Sequence, residues 1–394
     1  MSDDPRPALN VAPEASRTEP RRRVLLLTSH PLDARDGADK ELTYTIASGL
    51  PDVDFTWFGR AGRRHREPLA SGRRVAMISR DGMPGPLERA QAAALGLMAE
   101  RRVDLLHAVV TIGPQFEQFV RLRRRLLGSA VRPAIHTVPG VADRRYLDGV
   151  PELGTTVALS RATQEILVDA GFSDVRLVAP GIDLSRWARR PRAEMDERGP
   201  LVAFAGHYDI EGGVWDTVAG LGALVRRGRP VRALFLMRPR PGQDEVRERT
   251  RLVARAAAAG LPDVTVRGRV EDMPATLGEV DLVLLPAREL GGKADVPLTL
   301  IEAMAIGRPV VVTDIPQIEA LGHAATRVPV GDPEALADAL GALFASPGLW
   351  ESRSDLGHDL VRRQFSSHRM VATYRDLYDE LLDGPGGAPG LRRT

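Results

Sequence analysis

Residues 295–314 read DVPLTLIEAMAIGRPVVVTD. Their first part is a short apolar helix, 298–306, with Glu302 in its middle. Gly307 closes it, because glycine alone enters the left-handed backbone region cheaply. Arg308 and Pro309 complete a turn. Val310 to Thr313 then form a β-branched run suited to a strand buried on both faces of a parallel sheet. Glu302 lies one turn into the helix among Leu300, Ile301, Ala303 and Met304, all apolar. A solvated helix face would be polar there. The placement favours a carboxylate that meets a ligand over one that merely complements the helix N-terminal dipole.

Working outward, strand and helix patterns alternate on both sides. Upstream, RVLLLT (23–28) is a buried strand, followed by a polar loop with Gly37 and a helix over 38–50. This is how a Rossmann-like unit opens, and the helix start can face a phosphate. Strands at 53–58, 104–110, 133–138 and 175–178 and helices at 87–101, 114–127 and 161–170 continue it, with Ser160 as N-cap of the last. A second set begins with LVAFA (201–205) and a polar loop, 206–213. It runs through helices 214–227 and 244–259 and strands 231–237, 264–267 and 282–286 to the opening stretch. Helices at 336–344, 349–364 and 368–382 close it. Such alternation predicts parallel sheets covered on both faces. The charged, proline-containing segment 189–199 is the expected interdomain linker. Residues 1–22 and 384–394, rich in Pro, Gly and polar residues, are expected as flexible tails.

A chain of 394 residues with 43% hydrophobic content has material for two domain cores. It contains no cysteine, which excludes disulfides, thiolate zinc sites and cysteine nucleophiles. No apolar run is long enough to span a membrane, and no signal-peptide core is present. A cytoplasmic location is expected. Charge is uneven: residues 21–190 carry 27 basic and 19 acidic side chains, residues 191–394 carry 25 and 29. A basic first half suits an anionic partner or surface. Helix 114–127, with Arg121, Arg123, Arg124 and Arg125 beside Phe116, Phe119, Val120 and Leu126, reads as a surface helix whose cations suit its C-terminal dipole, or as one that lies on anionic lipid.

Two facing parallel sheets make a cleft at the C-terminal ends of their strands, where ligands bind. The polar residues expected there are His30, Gly37, His107, His136, Gly206, His207, Asp209, Arg288, Lys293 and Asp295. No close-spaced His/Asp/Glu cluster suggests a metal site. There is no nucleophile elbow and no Walker loop.

Four stretches together resemble glycosyltransferase family 4, retaining enzymes of the GT-B fold. PLTLIEAMAIGRPVVVTDIPQIEAL (297–321) looks like the family's donor-site segment. TTVALSRATQEILVDAGFSDVRLVAPGIDLSRW (155–187) is similar to the segment leading to the interdomain linker. LVAFAGHYD (201–209) resembles the first donor-domain strand, and VTVRGRVEDMPATLGEVDLVLLPAR (264–288) the nucleotide-base region. The resemblance implies an α/β, GT-B architecture of two Rossmann-like domains facing a central cleft. The acceptor domain would span 23–188 and the nucleotide-sugar donor domain 200–365. A last helix, 366–383, would cross back to the first domain.

It also implies roles. Glu302 matches the second glutamate of the family's Glu-x7-Glu motif, which holds the ribose. His136 matches a histidine near the reacting sugar, and Gly37 one glycine of a loop near the diphosphate. Gly206, His207, Arg269, Arg288, Lys293, Leu298 and Thr299 join Glu302 as expected donor contacts. Asp295 would bind sugar hydroxyls beside the catalytic His136. No metal and no cofactor beyond a nucleotide diphosphate sugar as co-substrate is expected. The departures are plain in the residues. The motif's first glutamate falls on Ala294. The family's arginine and lysine, which neutralise the leaving diphosphate, fall on His207 and on Gly212 or Gly213. The expected function is hexose transfer from a nucleotide sugar to a small-molecule, lipid-linked or glycan acceptor at the basic first domain, with possible peripheral contact to the inner face of an anionic membrane and none to nucleic acid. The alternatives are a catalytically silent GT-B protein that binds a glycan or partner subunit, and an enzyme using a non-standard donor.

Overall fold

A computed structural model describes residues 21–29, 31–32, 37–61, 72–77, 85–192, 197–240, 242–290 and 294–383. Among them, β1 (Arg22–Thr28), β2 (Val53–Arg60), β3 (Gly72–Met77), β4 (Leu105–Val109), β5 (Ala134–Val138), β6 (Thr155–Ala158) and β7 (Val175–Leu177) form one sheet. Its order is β3-β2-β1-β4-β5-β6-β7, and every pairing is parallel. Helices α1 (Ala38–Ser48), α2 (Pro86–Glu100), α3 (Phe116–Leu127) and α4 (Arg161–Asp169) are its connections.

The second sheet contains β8 (Leu201–His207), β9 (Arg232–Arg238), β10 (Asp263–Arg267), β11 (Leu282–Leu285), β12 (Val310–Thr313) and β13 (Thr326–Val328), in the all-parallel order β10-β9-β8-β11-β12-β13. It is covered by α5 (Val214–Arg226), α6 (Glu245–Ala258), α7 (Met273–Gly278), α8 (Leu298–Ala305), a 3₁₀ segment (Pro316–Ala324), α9 (Pro333–Ala345) and α10 (Pro347–Gln364). Strand order reverses at β1/β4 and at β8/β11, so each sheet has its switch-point crevice at the C-terminal end of its first strand. The two crevices face each other.

The final helix, α11 (Ser367–Asp383), leaves the second domain and packs on the first. Met370, Val371, Tyr374, Leu377 and Tyr378 join the apolar cluster of Val24, Leu26, Phe55 and Val109. Arg375 forks onto Asp52 at 2.6 and 2.8 Å, and Arg22 pairs with Asp379.

The chain changes domain earlier than the 189–199 linker expected from composition. Val178 belongs to the first domain's core, but Ile182 and Trp187 already belong to the second's. The crossing is Ala179, Pro180 and Gly181. It lies beside the return crossing: Ile182 N–H donates to Phe365 O at 2.9 Å and Ser367 N–H to Ile182 O at 2.8 Å. A Cβ on Gly181 would sit 2.6 Å from Ser366 O, so only glycine lets the two strands touch. Composition suggested 189–199 because it is charged, but those charges are used in docking on the second domain: Arg192 reaches Asp281 and lies over the Trp350 ring.

Helix α3 also differs from a plain basic surface helix. Arg123 is 1% exposed and its guanidinium forks onto Glu100 of α2 at 2.6 to 3.0 Å, while also donating to Arg132 O. Arg121, Arg124 and Arg125 stay exposed with Leu122 and Leu126. No described helix is long and apolar enough to cross a membrane. The expected tail residues 1–20 and 384–394, His30 and Lys293 lie outside the described residues.

Candidate functional site

Helix α8 places Glu302 as the sequence suggested. Its C-terminus closes through Gly307 at φ +83°, with Gly307 N–H on Met304 O at 3.0 Å and Arg308 N–H on Ala303 O at 2.8 Å. That paired closure is the Schellman motif. The N-terminus of α8 points at a narrow interdomain crevice, lined by Ala38, Asp39 and Leu42 of α1, Pro139, Leu159, Pro180, Ala294, Asp295 and Leu298. Glu302 is half-buried, and no described residue donates a hydrogen bond to its carboxylate. Burial first, then the like charge of Glu41, pushes its carboxyl up to about 8, against a pull from Arg186. At neutral pH it therefore carries a proton and offers one donor and one acceptor edge. Leu298 and Thr299 open the helix, where backbone N–H groups lack intrahelical partners. Pro297, just before them, has no N–H to offer.

Asp295 does not face open space. It is 1% exposed, and its Oδ2 accepts a 2.7 Å hydrogen bond from Ser160 Oγ. Its N–H donates to Pro139 O at 2.7 Å. Ser160 in turn caps α4 by accepting from Thr163 N–H at 3.1 Å. Asp295 thus joins the second domain to the first. Burial raises its carboxyl to about 6, opposed by hydrogen bonds from Thr163 and Ser160. The sugar-binding role drawn for it would require breaking this contact. Val296 beside it is fully buried at φ +49°, a conformation costly for a β-branched residue, immediately before the helix start.

His136 sits inside β5 with no exposure, stacked on Phe116 at 4.6 Å. Its Nε2–H donates to Val110 O at 3.0 Å, so Nδ1 carries the lone pair, buried and without a partner. Burial lowers the imidazole to about 4. It is a neutral acceptor. His107, placed at the cleft by sequence, instead faces α11. Its Nδ1 meets Tyr378 Oη at 2.8 Å and its Nε2 meets Thr137 Oγ1 at 2.9 Å, with Tyr374 Oη on Thr137 at 2.9 Å. Strand alternation sends His107 to the face that α11 covers, and burial holds it neutral at about 3.

Among the described residues, the positions that would neutralise a diphosphate carry little free charge. His207 ends β8 with Nδ1–H on Arg238 O at 2.9 Å, and burial, aided by Arg240 and Arg238, lowers it to about 4. It is neutral, and its other nitrogen is an acceptor. Gly213, the N-cap of α5, has φ +84°, and a Cβ there would lie 2.1 Å from Pro286 O, so no lysine fits. Gly206 allows close passage of the Phe204 ring. Arg288 forks onto Asp216 at 2.8 and 2.9 Å, so its charge is already matched by a carboxylate. Arg269 is exposed after the edge strand β10, and Gly37 caps α1 in an extended conformation. Among the described residues no three His, Asp or Glu side chains converge as metal ligands would. Pro139, Glu41 and the contact of Ser160 with Asp295 were missed from sequence, since nothing local marks a residue that meets the other domain.

Comparisons with known proteins bear on the fold. Residues 200–346 match the sequence profile of the family described as glycosyl transferases group 1. A phosphatidyl-myo-inositol mannosyltransferase of Mycobacterium leprae is 29% identical over 215 residues, 52% of this chain and 54% of that protein. The chain therefore spans about half the length of this curated relative. Among solved structures, sucrose-phosphate synthase from Thermosynechococcus elongatus superposes with a TM-score of 0.76 at 17% identity, over 92% of this chain and 100% of that one. HepE from Anabaena, in complex with UDP and glucose, gives 0.73 at 16%, with the same coverage. The chain thus has a GT-B fold, and its residues 200–346 resemble the family described as glycosyl transferases group 1.

Proposed function

We propose that this protein is a retaining glycosyltransferase that moves a hexose from a nucleotide diphosphate sugar to an acceptor on the first domain. The observation that carries it is Glu302: a half-buried carboxyl without a protein partner, one turn from a helix start at the interdomain crevice. A carboxyl so placed suits the paired hydroxyls of a ribose, and the free N–H groups of Leu298 and Thr299 suit a phosphate. The UDP complex of HepE supports a nucleotide donor of this type. The crevice has no room for a water molecule, so donor entry requires the domains to part. Isothermal titration with UDP, GDP, ADP and their sugars tests this. Binding of one of them is expected, and no binding of any would overturn it.

The exposed Leu122 and Leu126 of α3, with Arg121, Arg124 and Arg125 and the neighbouring Met98 of α2, give the first domain an apolar face rimmed by cations. Peripheral contact with an anionic bilayer is part of this proposal, and sedimentation with phosphatidylglycerol vesicles, compared with phosphatidylcholine alone, checks it.

The neutral His207 and the paired Arg288 favour a second reading, a GT-B protein that binds without transferring. A leaving diphosphate develops negative charge that a catalyst must meet. If only cations are lacking, H207R together with G212K should create donor hydrolysis. Continued silence would support the binding role.

A further inference from the structure

Asp295 bonds across the seam between the domains. Its neighbour Val296 lies in the second domain's core, whereas Val138 and Leu159, beside Pro139 and Ser160, lie in the cores of the first. Two hydrogen bonds therefore pass from one domain to the other. Ser160 Oγ–H donates to Asp295 Oδ2 at 2.7 Å, and Asp295 N–H donates to Pro139 O at 2.7 Å. Ser160 caps α4 at the same time: its Oγ accepts from Thr163 N–H at 3.1 Å, which leaves the hydroxyl proton for Asp295.

The covalent links between the domains are the two crossings, at 179–181 and 365–366, and these are hydrogen-bonded to each other. Side by side they form one hinge, so rotation about it is left to contacts across the seam. One such contact, α4 against the 3₁₀ segment, is shallow: Glu165 and Val168 of α4 and Glu319 and Ala320 of the segment stay exposed. The bonds of Asp295, by contrast, are directional and buried. Val296, next in the chain, is the one non-glycine residue among those described with a positive φ, +49°. Such a conformation persists only where its surroundings over-determine it. Asp295, fixed on the first domain, constrains it from one side and α8 from the other. Releasing Asp295 would relieve that strain, which offsets part of what the two bonds contribute.

The same two bonds close the crevice. Pro139 and Leu159 line it from the first domain and Asp295 and Leu298 from the second, and it has no room for a water molecule. We propose that Asp295 is an interdomain latch: its bonds to Ser160 and Pro139 hold the domains shut over the start of α8, and parting them admits a ligand there. The role is that of a gate and not of a sugar-binding carboxylate. The latch rests on the seam contacts alone; what it admits rests on the donor-site proposal above.

The absence of cysteine makes a direct test available. In the full chain, M98C on α2 and V246C on α6, both exposed, take a fluorescent donor and acceptor. Single-molecule energy transfer, well below the melting temperature of each variant, then reads the interdomain distance. S160D keeps a side chain that caps α4 but sets a carboxylate against Asp295. It is expected to move most molecules to a longer distance than the wild-type background shows. D295A, which deletes the acceptor, is expected to shift the distribution the same way. S160D combined with D295N restores a donor and an acceptor with their roles exchanged, and should return the distribution towards wild type. If S160D and D295A both keep the wild-type distribution, even with lowered melting temperatures, Asp295 is only a packing contact and the proposal is overturned. Should S160D not fold, D295A carries the comparison. UDP, which has no hexose to lose a contact with Asp295, forms a separate arm by titration calorimetry. Apparent affinity scales with the open fraction, so a wild type about one tenth open should bind UDP about tenfold more weakly than an opened variant. Opened variants that bind UDP no more tightly than wild type would overturn the gating role. If no variant binds UDP while the distances shift as expected, the donor-site reading fails and the latch stands.

Discussion

Replacing Glu302 by glutamine should stabilise this protein while weakening its hold on a nucleotide. Burial and Glu41 raise the Glu302 carboxyl to about 8, from an ordinary value of 4.5. The folded state therefore keeps a proton that the unfolded chain releases above pH 4.5. The sign follows from linkage: where the native state binds more protons, unfolding free energy falls as pH rises. The contribution is intact below about pH 4.5 and is lost progressively until pH passes about 8. At about 1.4 kcal/mol per unit, the ceiling is about 3 kcal/mol at pH 7 and about 5 kcal/mol above pH 8. Glu302 keeps partial solvent contact, and screening reduces the expected effect to about 1–3 kcal/mol. Glutamine has the same shape and does not titrate. Urea unfolding of wild type and E302Q between about pH 5 and 9 measures the difference directly. The two stabilities should approach each other at the acid end and separate as pH rises, with E302Q the more stable. Asp295 titrates in both proteins and cancels. Titration with UDP should show the opposite ranking, E302Q binding more weakly. Stabilities that run parallel across the whole pH range would refute the account of Glu302 as a buried, unpartnered carboxyl.

Other outcomes follow from single contacts. D295A leaves Ser160 Oγ without its acceptor across the domain seam and should cost about 1–3 kcal/mol in urea unfolding. Y378F removes the hydroxyl on buried His107 and should cost a similar ~1–3 kcal/mol, with limited proteolysis showing earlier release of α11. E100Q strips the anion from buried Arg123 and should destabilise by about 3–5 kcal/mol; a loss under about 1 kcal/mol would mean the pair is solvated. H207R puts a cation where a neutral acceptor now stands and should tighten UDP binding about tenfold by titration calorimetry.

Much of this protein could be read from local pattern. The apolar run over Leu298 to Ile306, the glycine at 307 and the β-branched strand after it fold as their backbone preferences dictate, and the same holds for β1, β8 and the Ser160 cap. Short strands with weak patterns were harder: β13 and the 3₁₀ segment before it carry little periodicity and owe their form to the sheet edge they pack on.

Side-chain assignments at the site divide along the same line. Glu302 was legible because a carboxylate among apolar neighbours on a short helix is locally anomalous. His107, Asp295 and Arg288 were not, because their partners come from distant parts of the chain: Tyr378 from the returning helix, Ser160 from the other domain, Asp216 from the start of α5. A histidine at a strand end looks the same whether its ring meets a ligand or a tyrosine 271 residues away. The sequence determined two α/β domains, their element order and one carboxyl poised at a helix start, since these depend on periodicity, capping and turn chemistry. Only the tertiary structure decided which polar groups are already satisfied and where the chain hinges. Those depend on which surfaces folding brings into contact, and on the cost of burying a polar group without a partner.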